Sequence, residues 1–380
     1  MKKLKALHVA SFQGNIGDNA NHTGFRNQFR TNVGLDVAYT EFEIRKVFWK
    51  QAAFDQQFVD LANSFDLVIV GGGNYFELWV ENSATGTSFD ISLELFKKIK
   101  TPMIFNALGV DPAQGAKESS VKKFREFLDL ACSKGNVLLS CRNDGSMETL
   151  KTIVGEKYAA MFHHVPDAGF FTETKDFEHP ELDPSKKNVV IQLAGDMLDT
   201  RFAKTTEDSI SYEEFIKSMA EFICELYRKE NINLILVPHI FRDLDIIHTL
   251  LNALPDSIRR GSLSVAPYLV GQKGQDYIFD IYKKADLVLG MRFHANVCAL
   301  GLGTPVIGLV NYRQIEKLFD EMGLNAFKVD VNKQGFDQKL LVLSMTLLKK
   351  PESFPEGYLN QWQKKLSTFH AQIAQYLSII

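Results

Sequence analysis

A chain of 380 residues, 45% of them hydrophobic and 23% charged, is globular and long enough for two domains rather than one core. Its formal charge of -3, with Lys and Arg spread along the chain instead of massed, leaves no footprint for nucleic acid. Cys132, Cys141, Cys224 and Cys298 show neither C-x-x-C spacing nor the density of a disulfide scaffold, which fits a reducing cytoplasm and excludes a cysteine-based zinc site.

The opening MKKLKALHVASFQGN is basic, but its apolar stretch is short and broken by His8 and Gln13, so no signal peptide is read there. No apolar run approaches the roughly 18 residues needed to span a bilayer, so the protein is expected to be cytoplasmic, and any work at the inner membrane surface is expected to be peripheral. Short apolar runs then alternate with helical patterns: 6–10, 35–42, 66–73, 102–110, 136–141 and 163–167. Between them SSVKKFREFLDLACSK places Val121, Phe124, Phe127, Leu128 and Ala131 at helical spacing. This βα repeat predicts a parallel sheet covered by helices on both faces, an N-terminal Rossmann-like domain over 1–171. The charged, proline-bearing TETKDFEHPELDPSKKN (172–188) reads as a linker. The alternation restarts with runs at 189–195, 232–239, 262–267, 285–291, 305–310 and 326–331, giving a second doubly wound domain over 189–350. The amphipathic segment 351–380 reads as a closing helix or as one packing back across the domains. The fold class is therefore α/β, two Rossmann-like doubly wound domains facing a cleft.

Ligands of such sheets collect beyond the carboxyl ends of the strands, so the residues there are the candidates. After the first run, GNIGDNA supplies Gly14, Asn15, Gly17 and Asp18 for a tight turn into a helix whose free N–H groups suit an anionic or polyhydroxy ligand; a capped turn is the other reading. The third run ends in GGGNYFE, and Gly72, Gly73 and Asn74 there suggest close approach of a ligand to the backbone. Asp111 and Asp167 lie just past strands, where caps, turns and catalytic carboxylates all occur. In SCRNDGSMETL, Asn143, Asp144 and Ser146 read as helix caps, whereas the fork of Arg142 suits a phosphate or carboxylate. Arg292 and His294 in GMRFHANVCALGLGTPVIG fall where a buried strand meets a helix. Cations there oppose the helix dipole, a conflict that an anion shared with the backbone N–H groups would resolve.

GNIGDNA, VIVGGGNYF, SCRNDGSMETL, VPDAGF and GMRFHANVCALGLGTPVIGLVNY together resemble, in order, the polysaccharide pyruvyl transferase family. The resemblance implies a fold like that of GT-B glycosyltransferases and transfer of pyruvate from phosphoenolpyruvate to a sugar of a cell-surface polysaccharide or its precursor, as a ketal. It implies Arg142, Arg292 and His294 on the donor, and Asn15, Asp18, Gly72, Gly73 and Asn74 toward the acceptor. His294 suits proton transfer, with Asp18 or Asp167 as base. Phosphoenolpyruvate is then a co-substrate, and no cofactor or metal is expected. The acceptor is a glycan or lipid-linked sugar. The chain departs from the family pattern at Asn143, where an Asp usually follows the Arg, and at Ile315, where a Lys is common. The rivals are a nucleotide-sugar glycosyltransferase of the same fold, which the lack of a carboxylate in ANVCALGLG disfavours, and a non-catalytic glycan-binding protein.

Overall fold

The computed structural model describes residues 3–378. The chain divides into two compact units, the first built from the residues up to Phe12, Gly24–Ala168 and Leu359 onward, the second from Gln13–Thr23 and Gly169–Tyr358.

In the first unit the strands are β1 (Leu4–Ala10), β2 (Val37–Glu43), β3 (Leu67–Gly71), β4 (Phe76–Glu77), β5 (Met103–Leu108), β6 (Val110–Asp111), β7 (Val137–Cys141) and β8 (Phe162–His164). Six of them form a sheet in the order β2-β1-β3-β5-β7-β8, and β4 pairs separately with β6. Every pairing is parallel. Helices cover such a sheet on both faces, and all of β3 and β5 is accordingly buried. The helix Glu118–Lys134 turns Val121, Phe124, Phe127, Leu128 and Ala131 inward, as their spacing predicts. Phe76, Phe96, Phe105 and Phe124 gather around Phe127. Each fully buried ring of this kind contributes about 2–3 kcal/mol by burial alone.

The second unit repeats the plan with β9 (Lys187–Gln192), β10 (Ile232–Leu236), β11 (Leu263–Val265), β12 (Leu287–Gly290), β13 (Val306–Val310) and β14 (Lys328–Asp330). Their order is β11-β10-β9-β12-β13-β14. The chain therefore reverses its direction of travel across the sheet between β9 and β12, and in the first sheet between β1 and β3. At such switch points the loops diverge and leave room for a ligand beyond the carboxyl ends. Each apolar run read from the sequence carries one strand of these two sheets, so the fold is two Rossmann-like units.

The units do not follow the linear boundaries expected from sequence. Residues 172–188 belong to the second unit: Asp280 accepts the Phe177 N–H at 3.0 Å and meets His179 Nε2 at 2.8 Å. Glu181 accepts from the Tyr277 hydroxyl at 2.9 Å, and its carbonyl from the Asn233 amide at 2.7 Å. Residues 13–23 also belong to the second unit. Up to Tyr358, whose hydroxyl donates to the Leu300 carbonyl at 2.7 Å, the closing segment stays with that unit. The helix Asn360–Ser378 joins the first, burying Trp362, Leu366, Phe369, His370 and Ile373.

Candidate active site

Strand β12 is wholly buried, and the chain leaves it at Gly290. A Cβ at Gly290 would stand 2.8 Å from the Asn296 side chain, so only glycine lets the following helix, Phe293–Leu302, turn back this tightly. Asn296 fixes that turn by donating to the carbonyls of Gly290 and Arg292, each at 2.9 Å. Gln192, ending β9 across the switch point, accepts the Arg292 N–H at 2.8 Å. Arg292 itself is the helix N-cap, in extended backbone.

Its guanidinium is 11% exposed and held by carboxylates. Nε donates to Asp243 Oδ2 at 2.9 Å, and a terminal nitrogen to Asp196 at 2.8 Å. Burial works against the charge, but Asp243 and Asp196 outweigh it and raise the Arg292 pKa. Asp243 opens the helix Asp243–Ala253, has no solvent exposure, and also accepts the N–H groups of Gly195, His239 and Ile240. These bonds and Arg292 overcome burial and lower its pKa. The dipole conflict noted in the sequence is thus met inside the protein. Asp196, 23% exposed, is shared with a second cation, Arg201, at 3.3 Å. Arg201 also donates to Asn311 Oδ1 at 3.1 Å and lies 5.4 Å over the Tyr312 ring. Burial and the neighbouring Arg292 lower its pKa; Asp243 and the partly exposed Asp196 balance the two guanidinium charges, and Asp196 bridges them.

His294, two residues on, packs against residues 13–23. A Cβ on Gly17 would stand 2.5 Å from His294 Cβ. Asn15 Oδ1 accepts the Gly17 N–H at 3.0 Å and its amide reaches Asp18 Oδ1 at 3.3 Å. The Asp18 carboxylate lies 3.8 Å from His294 Nδ1. The structure therefore brings Asn15, Asp18, Arg292 and His294 into one unit.

Arg142, Asp167, Gly72, Gly73 and Asn74 lie in the first unit, beyond its sheet. Arg142 is buried and donates from Nε to Asp144 Oδ2 at 2.6 Å, with Asp167 Oδ2 3.6 Å away. Burial opposes its charge, but Asp144, Asp167 and Asp111 raise its pKa. Asp144 also accepts the Ser146 N–H and hydroxyl, and Asn143 Oδ1 accepts the Asp167 N–H at 2.9 Å. The glycine triplet has local causes: a Cβ on Gly71 would meet the Asn106 carbonyl at 2.3 Å, Gly72 has φ of 81°, and a Cβ on Gly73 would meet the Tyr75 ring at 2.4 Å. Asn74 donates to Asp111 at 3.0 Å. Nearby, Glu77 is pushed up to about 7 by burial and by Asp111, against its bond from the Ser88 hydroxyl and the charge of Arg142.

Asp196, Asp243, Arg201 and Asn311 were not singled out in the sequence. Asp196 immediately follows the run 189–195 and Asp243 stands just beyond 232–239, so the same search past strand ends could have found both. Asn311 immediately follows the run 305–310 and would have been found in the same way, whereas Arg201 carries no such signal. Among the described residues, no group of His, Cys, Asp and Glu is arranged to hold a metal ion, and no helix is long and apolar enough to cross a membrane.

A family model described as polysaccharide pyruvyl transferase matches residues 7–312. No curated protein matches by sequence. Among solved structures, the S. aureus MnaA–UDP co-structure is similar at 10% identity and a TM-score of 0.56, covering 99% of this chain and 98% of that one. A glycosyltransferase from Rickettsia africae follows at 9% identity, TM-score 0.54, covering 99% of each chain. The glycosyltransferase SnogD from Streptomyces nogalater has 12% identity and a TM-score of 0.52, covering 98% and 100%. At these identities the likeness shows the fold, that of GT-B glycosyltransferases and sugar-nucleotide epimerases.

Proposed function

Because the chain belongs to the polysaccharide pyruvyl transferase family, we propose that it moves the pyruvyl group of phosphoenolpyruvate onto a sugar of a cell-surface polysaccharide or its precursor, closing a pyruvate ketal. The observation that carries this reading is the placement of His294 against Asp18, two residues after Arg292, at the switch point of the second sheet.

The chemistry requires a proton on the methylene carbon of the donor, which leaves an oxocarbenium-like centre at the adjoining carbon. A sugar hydroxyl attacks that centre and gives its proton to a base; phosphate leaves with the C–O bond electrons, and a second hydroxyl closes the ring. His294 is the general acid, and Asp18, near its Nδ1, orients the imidazole. Arg292, with Arg201 across the shared Asp196, supplies the positive field for phosphate and carboxylate. Asp144 and Asp167 already engage Arg142, so its part in donor binding is a matter for the variant below. Asn15, Gly72, Gly73 and Asn74 remain the residues assigned to the acceptor, and no cofactor is assigned.

Phosphoenolpyruvate should raise the melting temperature by binding the folded state alone. Arg292→Ala should abolish most of that shift. His294→Ala should keep much of it yet lose about a hundredfold or more in turnover at saturating donor. Arg142→Ala should weaken the shift if the cation reaches the donor and leave it intact if it serves only its own unit. A clear shift with a uridine diphosphate sugar and none with phosphoenolpyruvate would overturn the donor assignment.

A further inference from the structure

Just past β2, the sequence IRKVFWKQAAF (44–54) contains three cations and no carboxylate, in a protein whose net charge is negative. A tight helical turn, Arg45–Phe48, forms there. The turn is closed by its own backbone: Trp49 N–H donates to the Arg45 carbonyl at 2.8 Å, Lys50 to Val47 at 3.1 Å and Gln51 to Lys46 at 2.8 Å. Its base is anchored. Ile44 is buried and its N–H donates to Ala10 at 2.9 Å, Val47 packs on the core of the first unit, and Arg45 donates from Nε to Ser11 at 2.6 Å and from its N–H to Glu43 at 2.9 Å. Its tip is not. Phe48 is 85% exposed and Trp49 45%, with exposed Lys46 and Lys50 on either side.

Leaving two large aromatic rings in water on a fixed turn forgoes about 2 kcal/mol of burial for each ring, so the feature calls for a partner. The surrounding charge identifies that partner. A Phe–Trp tip flanked by lysines matches the interface of an anionic bilayer, where the indole sits at headgroup depth and ammonium groups meet lipid phosphates. We propose that residues 44–50 form a membrane-docking turn that binds this protein peripherally to an anionic lipid surface through Phe48, Trp49, Lys46 and Lys50. The inference deepens the proposed function by assigning the acceptor a lipid carrier, since a protein seated on the bilayer meets sugars borne there.

The test uses the full chain with vesicles and neither donor nor sugar, so its outcome is independent of the transfer reaction. The chain should sediment with vesicles of phosphatidylcholine mixed with phosphatidylglycerol and much less with phosphatidylcholine alone. Its tryptophan emission should be quenched by brominated lipid, a quenching that Trp49→Phe largely removes, because of the other two tryptophans Trp362 is buried and Trp79 half-buried. Phe48→Ser with Trp49→Ser, and separately Lys46→Glu with Lys50→Glu, should each lower the partition coefficient roughly tenfold or more while leaving the melting temperature within a degree or so. Equal sedimentation of wild type and both double variants would overturn the proposal. So would a wild-type dimer that ignores vesicles and becomes monomeric in Phe48→Ser/Trp49→Ser, which would make the turn a contact between copies of the chain.

Discussion

Gly17 has no room for a side chain, because a Cβ there would overlap His294 Cβ and crowd Nδ1 at 2.7 Å. Gly17→Ala should therefore push the imidazole off Asp18 without touching Arg292. Overpacking of this kind costs about 1–3 kcal/mol of stability. Turnover should fall further than that suggests, up to about a hundredfold, since small displacements of an acid group are costly, while the donor-induced melting shift persists. Loss of the donor shift together with activity would show that the glycine serves binding instead. At this scale Arg292 and His294 were legible because they stand side by side after a buried strand. Arg201 was not, since it follows no strand directly and Asn311, to which it donates, lies 110 residues further on. The sequence reads Asn143 and Asp144 as caps, but the helix N-cap is Gly145 without a side-chain bond: Asp144 accepts the Ser146 N–H and holds Arg142, and Asn143 accepts the Asp167 N–H.

Among the elements, the helix Asn360–Ser378 is held by a titratable contact. The Asn32 amide donates to His370 Nδ1 at 3.1 Å, so the ring is neutral when docked, and burial pulls its pKa down to about 4. Released, it would return to about 6.5. The released state thus binds more protons between these values, and docking stability present above about pH 6.5 is lost as pH falls toward 4, by at most ~3 kcal/mol. His163, packed on Phe369 of the same helix and also lowered by burial, adds to the same trend. Glu77 acts oppositely: its raised pKa takes stability away as pH rises toward 7. Protection factors over 360–378, taken relative to the intrinsic exchange rate at each pH, should fall from pH 7 to pH 5, and His370→Gln should flatten that response; an unchanged slope in the variant would remove His370 as its source. The strands were legible because buried parallel strands are near-continuous apolar runs. Segment 172–188 was misjudged because its charges and prolines look like solvent-facing linker, yet Asp280, from a distant helix, satisfies its backbone. The two-residue strands β4 and β6 are too short to leave a pattern.

As a whole molecule the protein keeps the fold of enzymes with which it shares about a tenth of its residues. What persists is the alternation of apolar strands and covering helices, which was visible in the sequence. The assignment of segments to units was not, because neither unit is one continuous piece of chain. Asp18 and His294 are separated by nearly three quarters of the chain, and contacts of such separation form late because loop closure must precede them. Refolding from urea should accordingly restore far-ultraviolet circular dichroism before donor-dependent activity; simultaneous recovery would refute that order. The same arrangement bears on the protein's birth at the ribosome. Residues 13–23 are among the earliest made, with Ile16, Ala20 and Asn21 destined for complete burial, yet the helices they pack against, Gly271–Lys284 and Phe293–Leu302, are synthesised far later. Through most of translation the first unit must therefore assemble while this segment of its own chain has nowhere to go, and a truncated product would keep Ile16 and Ala20 uncovered for chaperones and proteases to find.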